Sequence, residues 1–139
     1  MLAVRLKLRL KRGSLVKEAL ALVNSGYEAE TPQLLIPVKL ARELRIWPPP
    51  SDATETVFGT AGGPLRVWIV PQAAEASVVA DDAEPRWVLV DLVVSHMADE
   101  PLISDKLADE LGIAVESFGR GLWRFTWEPK EKLRKSEKA

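Results

Sequence analysis

The chain has 139 residues, of which 47% are hydrophobic and 28% charged, and its 20 acidic and 19 basic side chains leave a net charge of −1. This length predicts a single ordinary domain with a real core. The balanced charge excludes a global field that would draw the protein to nucleic acid or to an anionic membrane. The absence of cysteine excludes disulfide scaffolds and thiol catalysis, and a single histidine, His96, excludes a histidine-rich zinc site. We therefore expect no metal and no cofactor.

The apolar runs and the N-terminus bear on location. No uncharged apolar run exceeds the length of a strand, so we expect no transmembrane helix and no membrane partner. The N-terminus alternates basic and apolar residues, unlike a signal peptide. These features predict a cytoplasmic protein. The chain also has one asparagine, two glutamines and ten prolines, a profile typical of proteins from hot environments.

The first third of the chain predicts two strands, a polar break and a helix. Apolar residues alternate with bases over residues 2–10, which indicates a half-buried antiparallel strand. A second strand over residues 15–23 ends at the sequence Asn24-Ser25-Gly26, whose residue types favour a turn. After an apolar run at 34–36, Pro37 suits the first turn of a helix that extends to Ile46.

The remainder predicts further strands and one more helix. Residues 56–58 and 65–70 form a predicted hairpin whose tip contains Gly59, Gly62 and Gly63. Strands are expected at 77–80, 86–94, 115–118 and 122–127. Ser104 can cap a helix over residues 105–111 that stops at Gly112. The fold class is therefore mostly β with one or two short helices, in one domain over residues 1–128, followed by a charged, flexible C-terminal tail over residues 129–139.

A short internal repeat suggests that the two halves of the domain are related. Residues 35–46 read LIPVKLARELRI and residues 102–113 read LISDKLADELGI, so eight of twelve positions are identical at a constant offset of 67. Common helix formers can recur by chance in amphipathic helices. Apolar pairs at 22–23 and 89–90 precede the repeat at the same offset, which favours a true duplication.

The order of these motifs resembles the retropepsin-like aspartic proteases, single-domain homodimeric relatives of pepsin. In that family a strand ends in Leu-Val-Asp-Thr/Ser-Gly, a glycine-containing flap hairpin follows, and a second apolar motif opens a helix ending in Leu-Gly. The resemblance covers about residues 2–127. It implies a closed β fold with internal pseudo-twofold symmetry, a homodimer and a groove for an extended peptide.

The resemblance also assigns the site residues. The catalytic aspartate of the family falls at Asn24, while Ser25 and Gly26 keep the rest of its loop, Ser25 hydrogen-bonding across the dimer axis and Gly26 allowing close approach. The glycine that opens the second helix falls at Ser104. The hairpin glycines would form the flap over bound peptide; they are Gly59, Gly62 and Gly63.

The amide at position 24 changes the expected chemistry. In the family, two carboxylates about 3 Å apart share one proton, and the charged one acts as general base on a water. A side-chain amide cannot accept a proton near neutral pH, so a pair of Asn24 residues lacks the base. The resemblance therefore implies a homodimeric, catalytically silent domain that binds an extended peptide.

Several alternatives stay open. The chain could be an aspartic endopeptidase whose catalytic aspartate has been replaced, by engineering or as a variant, by Asn24. It could be a nucleic-acid-associated β domain that uses the basic first strand, although a solvated surface is favoured. Asn24-Ser25-Gly26 and the glycine hairpin could be plain turns. Asp91, 67 residues after Asn24, is interpreted as a strand residue rather than a substitute carboxylate, and His96 as a surface loop residue.

The dimer interface has its own prediction. The late strand at 122–127 places Trp123, Phe125 and Trp127 on one face, which predicts that this strand pairs with a second copy in a twofold dimer. The alternative is that these rings pack into the core of their own protomer.

Overall fold

The computed structural model describes residues 3–24 and 26–138, and these residues are mostly β. Two short helices are formed, α1 (Val38–Glu43) and α2 (Asp105–Leu111). The strands are β1 (Arg5–Arg12), β2 (Leu15–Val23), β3 (Gln33–Pro37), β4 (Thr54–Thr60), β5 (Gly63–Val78), β6 (Val88–Ser95), β7 (Leu102–Ile103), β8 (Ile113–Ser117), β9 (Leu122–Phe125) and β10 (Arg134–Lys135).

The larger sheet closes into a ring of six strands. Its order is β1-β2-β7-β3-β6-β5, and β1 pairs with β5 as well as with β2. Strand β4 lies outside the ring and pairs with the first half of β5. In β1 the apolar side chains Leu6, Leu8 and Leu10 point into the ring and are buried, whereas the intervening bases face outward. The alternation predicted for the first strand is therefore confirmed from Arg5 onward.

Four strands in the ring are arranged symmetrically about one residue pair. β7 lies between β2 and β3, parallel to β2 and antiparallel to β3, with Leu102 opposite Leu35. β3 runs parallel to β6 on its other side. Each of the two inner strands, β3 and β7, continues directly into a helix. The chain thus places two helices and two parallel strand ends around the Leu35–Leu102 pair.

The second helix matches its prediction and the first is shorter than expected. The Ser104 hydroxyl accepts a hydrogen bond from Leu107 N, and Gly112 ends α2 in the left-handed conformation at φ 78°. Both ends of α2 are therefore capped by the predicted residues. Helix α1 follows Pro37 but ends at Glu43 rather than Ile46, and Arg45 adopts a φ of 62°.

Strand β5 joins two segments that the sequence predicts as separate strands. It runs for 16 residues, with a bulge between Val70 and Ala74 where its pairing with β6 shifts register. Within the bulge Gln72 has a φ of 47°, and its backbone N–H donates to the Asp91 carboxylate at 2.8 Å. The bulge lets the first half of β5 pair with β4 and the second half pair with β1.

The aromatic residues of β9 pack into their own chain, which corrects the predicted interface. Trp123 is 5% exposed and Phe125 is 3% exposed, both within the main core. Trp127 stacks on Phe125 with ring centroids 4.5 Å apart. Trp127 is 46% exposed, with the Arg86 guanidinium 4.3 Å from its ring centroid and with Gly112 so close that a Cβ atom there would clash with the ring. Trp123 and Phe125 therefore follow the alternative that the sequence left open, packing into the core of their own protomer, and Trp127 lies at its rim.

The charged C-terminal segment, predicted as a flexible tail over residues 129–139, contacts the domain at residues 134–137. β10 pairs with β9, and Glu137 N donates to Arg5 O at 2.8 Å. The buried Glu128 carboxylate accepts from Arg134 at 2.6 and 3.0 Å and from Lys132 at 3.0 Å. A run of charges alone does not show which acids it pairs with. The partner Asp82 lies 52 residues before Arg134 in the sequence.

Within the described ranges, no helix is both long and apolar enough to cross a membrane.

Candidate functional site

The predicted catalytic loop begins where β2 ends, and the Asn24 side chain closes it into a turn. Asn24 N donates to Ile103 O at 3.3 Å, and Asn24 O accepts from Tyr27 N at 3.0 Å. The side-chain oxygen Oδ1 accepts from Gly26 N at 3.0 Å. This is the hydrogen bond of an Asx turn, which holds the loop beside the end of β7. Ser25 lies outside the described residues.

A second turn of the same kind follows β6. The Ser95 hydroxyl accepts a hydrogen bond from Met97 N at 3.1 Å. Ser95 comes one residue after the pair Val94–Ile36, as Asn24 comes one residue after the pair Val23–Ile103. The two turns therefore flank the central strands β3 and β7 from opposite sides.

Asp91 lies within β6, as interpreted from the sequence, and its carboxylate is occupied by structural contacts. It accepts from the Thr31 hydroxyl and from Gln72 N, both at 2.8 Å. These bonds connect the loop before β3 to the bulge of β5. His96 is exposed in the loop after β6, where its ring packs edge-on against Trp47 and Trp68 at 5.2 and 5.4 Å.

Ser104, at the position where the resemblance expects a glycine, accepts hydrogen bonds from two elements. It is fully buried, and its hydroxyl accepts from Leu107 N and from Gln33 N, both at 3.1 Å. One side chain thus caps α2 and fixes the start of β3. The next residue, Asp105, accepts from Ala29 N at 2.9 Å, which fastens the loop after Gly26 to the first turn of α2.

Tyr27 connects the Asn24 turn to the hairpin of β4 and β5. Its ring packs edge-on against Phe58 with centroids 6.4 Å apart, and its hydroxyl donates to Gln33 Oε1 at 2.8 Å. Burial, with a further contribution from Asp91, raises the pKa of the Tyr27 phenol above its usual range. The phenol therefore stays protonated and serves as a hydrogen-bond donor.

The predicted flap glycines lie at the tip of this hairpin. Residues 61–62 form the turn, Gly59 pairs with Pro64, and Thr60 pairs with Gly63. Gly63 has a φ of 108°, and the Thr60 hydroxyl donates to its carbonyl at 2.6 Å. A Cβ atom at Gly59 or Gly63 would meet nothing within 4 Å. The tip therefore projects away from the rest of the described chain.

An apolar groove lies between the hairpin and the loop after β6. Leu35 and Leu102 line it together with Leu65 of β5 and Ala98 of the loop, and its volume is about 310 Å³. These side chains belong to a second apolar cluster, on the sheet face opposite the main core. Tyr27 and Phe58 pack against the same cluster but do not line the groove.

The described residues bring only part of the predicted site together. Asn24 and Gly26 share one turn, but this turn contains an amide where a general base would need a carboxylate. Gly59, Gly62 and Gly63 lie at the hairpin tip and do not line the groove, which the hairpin borders through Leu65 alone. No group of three or more potential metal-binding side chains converges anywhere in ranges 3–24 and 26–138.

Two of the five bases of β1 pair with acids. Arg5 pairs with Glu100 and Arg9 with Glu18, each at 2.9 Å, and the side chain of Arg12 donates to Ala73 O. In the C-terminal segment Lys132 and Arg134 pair with Asp82 and Glu128. Lys7 and Lys11 are exposed, so the outer face of β1 keeps positive charge and the nucleic-acid alternative stays open.

The groove residues were missed from the sequence, although a signal for them exists. The runs 34–36 and 92–94 are continuously apolar, which is typical of strands covered on both faces. Leu35 and Val93 are the members of these runs that face the groove cluster. The pattern therefore indicated a second apolar layer outside the ring.

Neither a family model nor a curated protein matches this chain.

Proposed function

We propose that this chain is a retropepsin-like homodimeric domain that binds an extended peptide and is catalytically silent. The observation that carries the proposal is the apolar groove between the β4–β5 hairpin and the loop after β6, with the central pair Leu35–Leu102 in its wall. An apolar groove that is open to water beside a hairpin suits an extended peptide lying along it.

The strand arrangement supports the fold part of the proposal. Two parallel strand ends, two inner strands and two helices are disposed about one residue pair, and the two helices contain the repeat found at an offset of 67. An ancestral duplication accounts for both facts. In such a scheme β2 corresponds to β6 at an offset of 71, so the apolar pair 89–90 is not the counterpart of 22–23, and Ser95, rather than Asp91, is the counterpart of Asn24.

Catalytic silence follows from the side chain at position 24. Two carboxylates at a shared axis divide the roles of general base and general acid between a charged and a neutral group. An amide pair has no member that can take the proton of an attacking water. The dimer would therefore keep the groove and lack the hydrolytic step.

A second candidate is an aspartic endopeptidase whose aspartate has been replaced by Asn24. The observation that favours it is the Asx turn, because a carboxylate oxygen could accept the same hydrogen bond from Gly26 N. Restoring the carboxylate would then change the charge of the site while keeping the turn.

Peptide capture tests the first proposal. The parent protein, Leu65→Asp and Val57→Asp are compared for retention of a library of short extended peptides. Leu65 lines the groove, whereas Val57 lies on the neighbouring strand and is 59% exposed, so it is the matched control. We expect binding by the parent and by Val57→Asp and loss of binding by Leu65→Asp. Equal binding by all three proteins would refute peptide binding in the groove.

Sedimentation of the parent protein at tens of micromolar tests the homodimer separately. A monomer would contradict that part of the proposal.

A further inference from the structure

The groove between the hairpin and the loop after β6 has aliphatic walls and an acidic mouth. Leu35, Leu65 and Leu102 provide the walls, while Asp99 and Glu100 line the same groove from the loop. Met97, also in the lining, is 76% exposed and marks the side open to water. A ligand in this groove therefore contacts both hydrocarbon and carboxylate.

The two acids differ in whether their charge is compensated. Glu100 accepts from Arg5 through both oxygens, at 2.9 and 3.2 Å. Asp99 is exposed and forms no ion pair or hydrogen bond with any residue of ranges 3–24 and 26–138. The groove therefore presents one uncompensated negative charge, at Asp99, beside its aliphatic walls.

This combination matches the side chains of lysine and arginine. Both have a methylene stem that covers apolar surface and a charged head group that remains in contact with water. A purely aliphatic side chain would fit the walls but gain nothing from Asp99, and an acidic side chain would be repelled by it.

We propose that the groove receives a lysine or arginine side chain of the extended peptide, with its stem on Leu35, Leu65 and Leu102 and its head group at Asp99. This inference rests on the proposed function, which supplies the peptide, and adds the class of side chain that the peptide must carry. Asp99 is then the residue that sets specificity.

A set of short peptides that differ at one scanned position tests this inference. Lysine, norleucine or glutamate is placed there in an otherwise constant alanine, threonine and valine background. Norleucine has the hydrocarbon stem of lysine without its ammonium group, so it isolates the charge. Affinities are measured for the parent protein, for Asp99→Asn, for Asp99→Lys and for Asp52→Lys, an exposed control outside the groove lining.

We expect the parent to bind the lysine peptide about two- to five-fold more tightly than the norleucine peptide at one position, as for a partly exposed ion pair. This preference should shrink at about 0.5 M salt. Asp99→Asn should abolish it, Asp99→Lys should shift it to the glutamate peptide, and Asp52→Lys should retain the preference of the parent.

The outcomes separate this inference from the function on which it rests. Equal binding of all three peptides by the parent would overturn the role of Asp99 and leave peptide binding intact. A lysine preference that survives Asp99→Lys would overturn it as well. Failure of the parent to bind any peptide of the set, or of the wider library, would overturn both proposals.

Discussion

Asn24 and Ser95 close two turns with the same hydrogen bond, in which the backbone N–H two residues later donates to the side-chain oxygen. The distances are 3.0 Å from Asn24 Oδ1 to Gly26 N and 3.1 Å from Ser95 Oγ to Met97 N. Each turn follows a strand that runs parallel to one of the two inner strands. The turn therefore requires an oxygen acceptor at position 24, which an amide or a carboxylate can provide. Only the carboxylate can ionise and act as a base.

Asn24→Asp should therefore preserve the turn and supply a carboxylate. In a dimer the two carboxylates would share a proton and titrate as a coupled pair. We expect hydrolysis of a mixed peptide library between about pH 3 and 6, at a rate at least ~10²-fold above that of the parent. Mass spectrometry of the products provides the measurement.

The parent protein, with Asn24 shown by mass to be intact, is the control for this experiment. Cleavage by that parent would contradict catalytic silence. No cleavage by a folded, dimeric Asn24→Asp protein would eliminate the endopeptidase candidate.

Ser104→Ala should lower stability because a single hydroxyl accepts from both Leu107 N and Gln33 N. The substitution removes the cap of α2 and leaves two N–H groups without their acceptor. We expect the free energy of unfolding to fall by about 1–3 kcal/mol, measured by urea denaturation. Ser117→Ala, at an exposed turn where the hydroxyl accepts from Arg120, is the comparison. Equal losses in the two variants would contradict the special role of Ser104.

Gly112→Ala should be more damaging than Gly13→Ala, although both glycines have positive φ. At Gly13 a Cβ meets nothing within 4 Å, so the cost is backbone strain, about 1–2 kcal/mol. At Gly112 the Cβ would lie 2.3 Å from Trp127 Cζ3, which adds about 1–3 kcal/mol of overpacking. Thermal unfolding of the two variants measures the difference, and similar melting temperatures would show that the Trp127 contact is unimportant.

Acid should release the C-terminal segment through Glu128. Hydrogen bonds, chiefly from Arg134, lower the pKa of Glu128 from 4.5 to about 2. Hydrogen bonds from Arg134 and Lys132 lower the pKa of Asp82 from 3.8 to about 2. Because the folded protein binds fewer protons than the unfolded chain in this range, stability is fully present above about pH 4.5 and falls as the pH drops toward 2.

The test of the acid effect uses Glu128→Gln, which should flatten the decline in melting temperature between pH 4.5 and 2. Glu131→Gln removes the same charge from an exposed side chain and is the control. An unchanged slope in Glu128→Gln would mean that other carboxylates dominate acid unfolding.

How far the sequence predicts the fold depends on how local the signal is. β2 and α2 have the predicted bounds because the apolar run and the turn residues that bound β2, like the Ser104 cap and the Gly112 stop of α2, lie within or beside the elements themselves. The continuity of β5 was not predictable in the same way, because its bulge at Gln72 depends on Asp91, nineteen residues away in sequence.

The site shows the same limit. Asn24 and Gly26 were identified by their motif, and their hydrogen bond is local. The groove joins Leu35, Leu65 and Leu102, which come from three different strands. The β9 rings could equally face a partner or the core when only alternation is considered, and the burial of Trp123 and Phe125 within the main core decides for the core.

The hairpin formed by β4 and the start of β5 extends beyond the closed ring. We therefore expect the hairpin and the ring to differ in how readily their backbone hydrogen bonds open. Within the ring, β1 is paired with β2 and β5, and β6 is paired with β3 and β5, so the amides of β1 and β6 should exchange with deuterium slowly. The hairpin pairs only with itself from Gly63 to Val67, although Leu65 and Val67 also pack in the cluster with Leu35. Its outward amides should exchange early. We therefore expect the hairpin to open, at the cost of these apolar contacts, more readily than the ring strands separate.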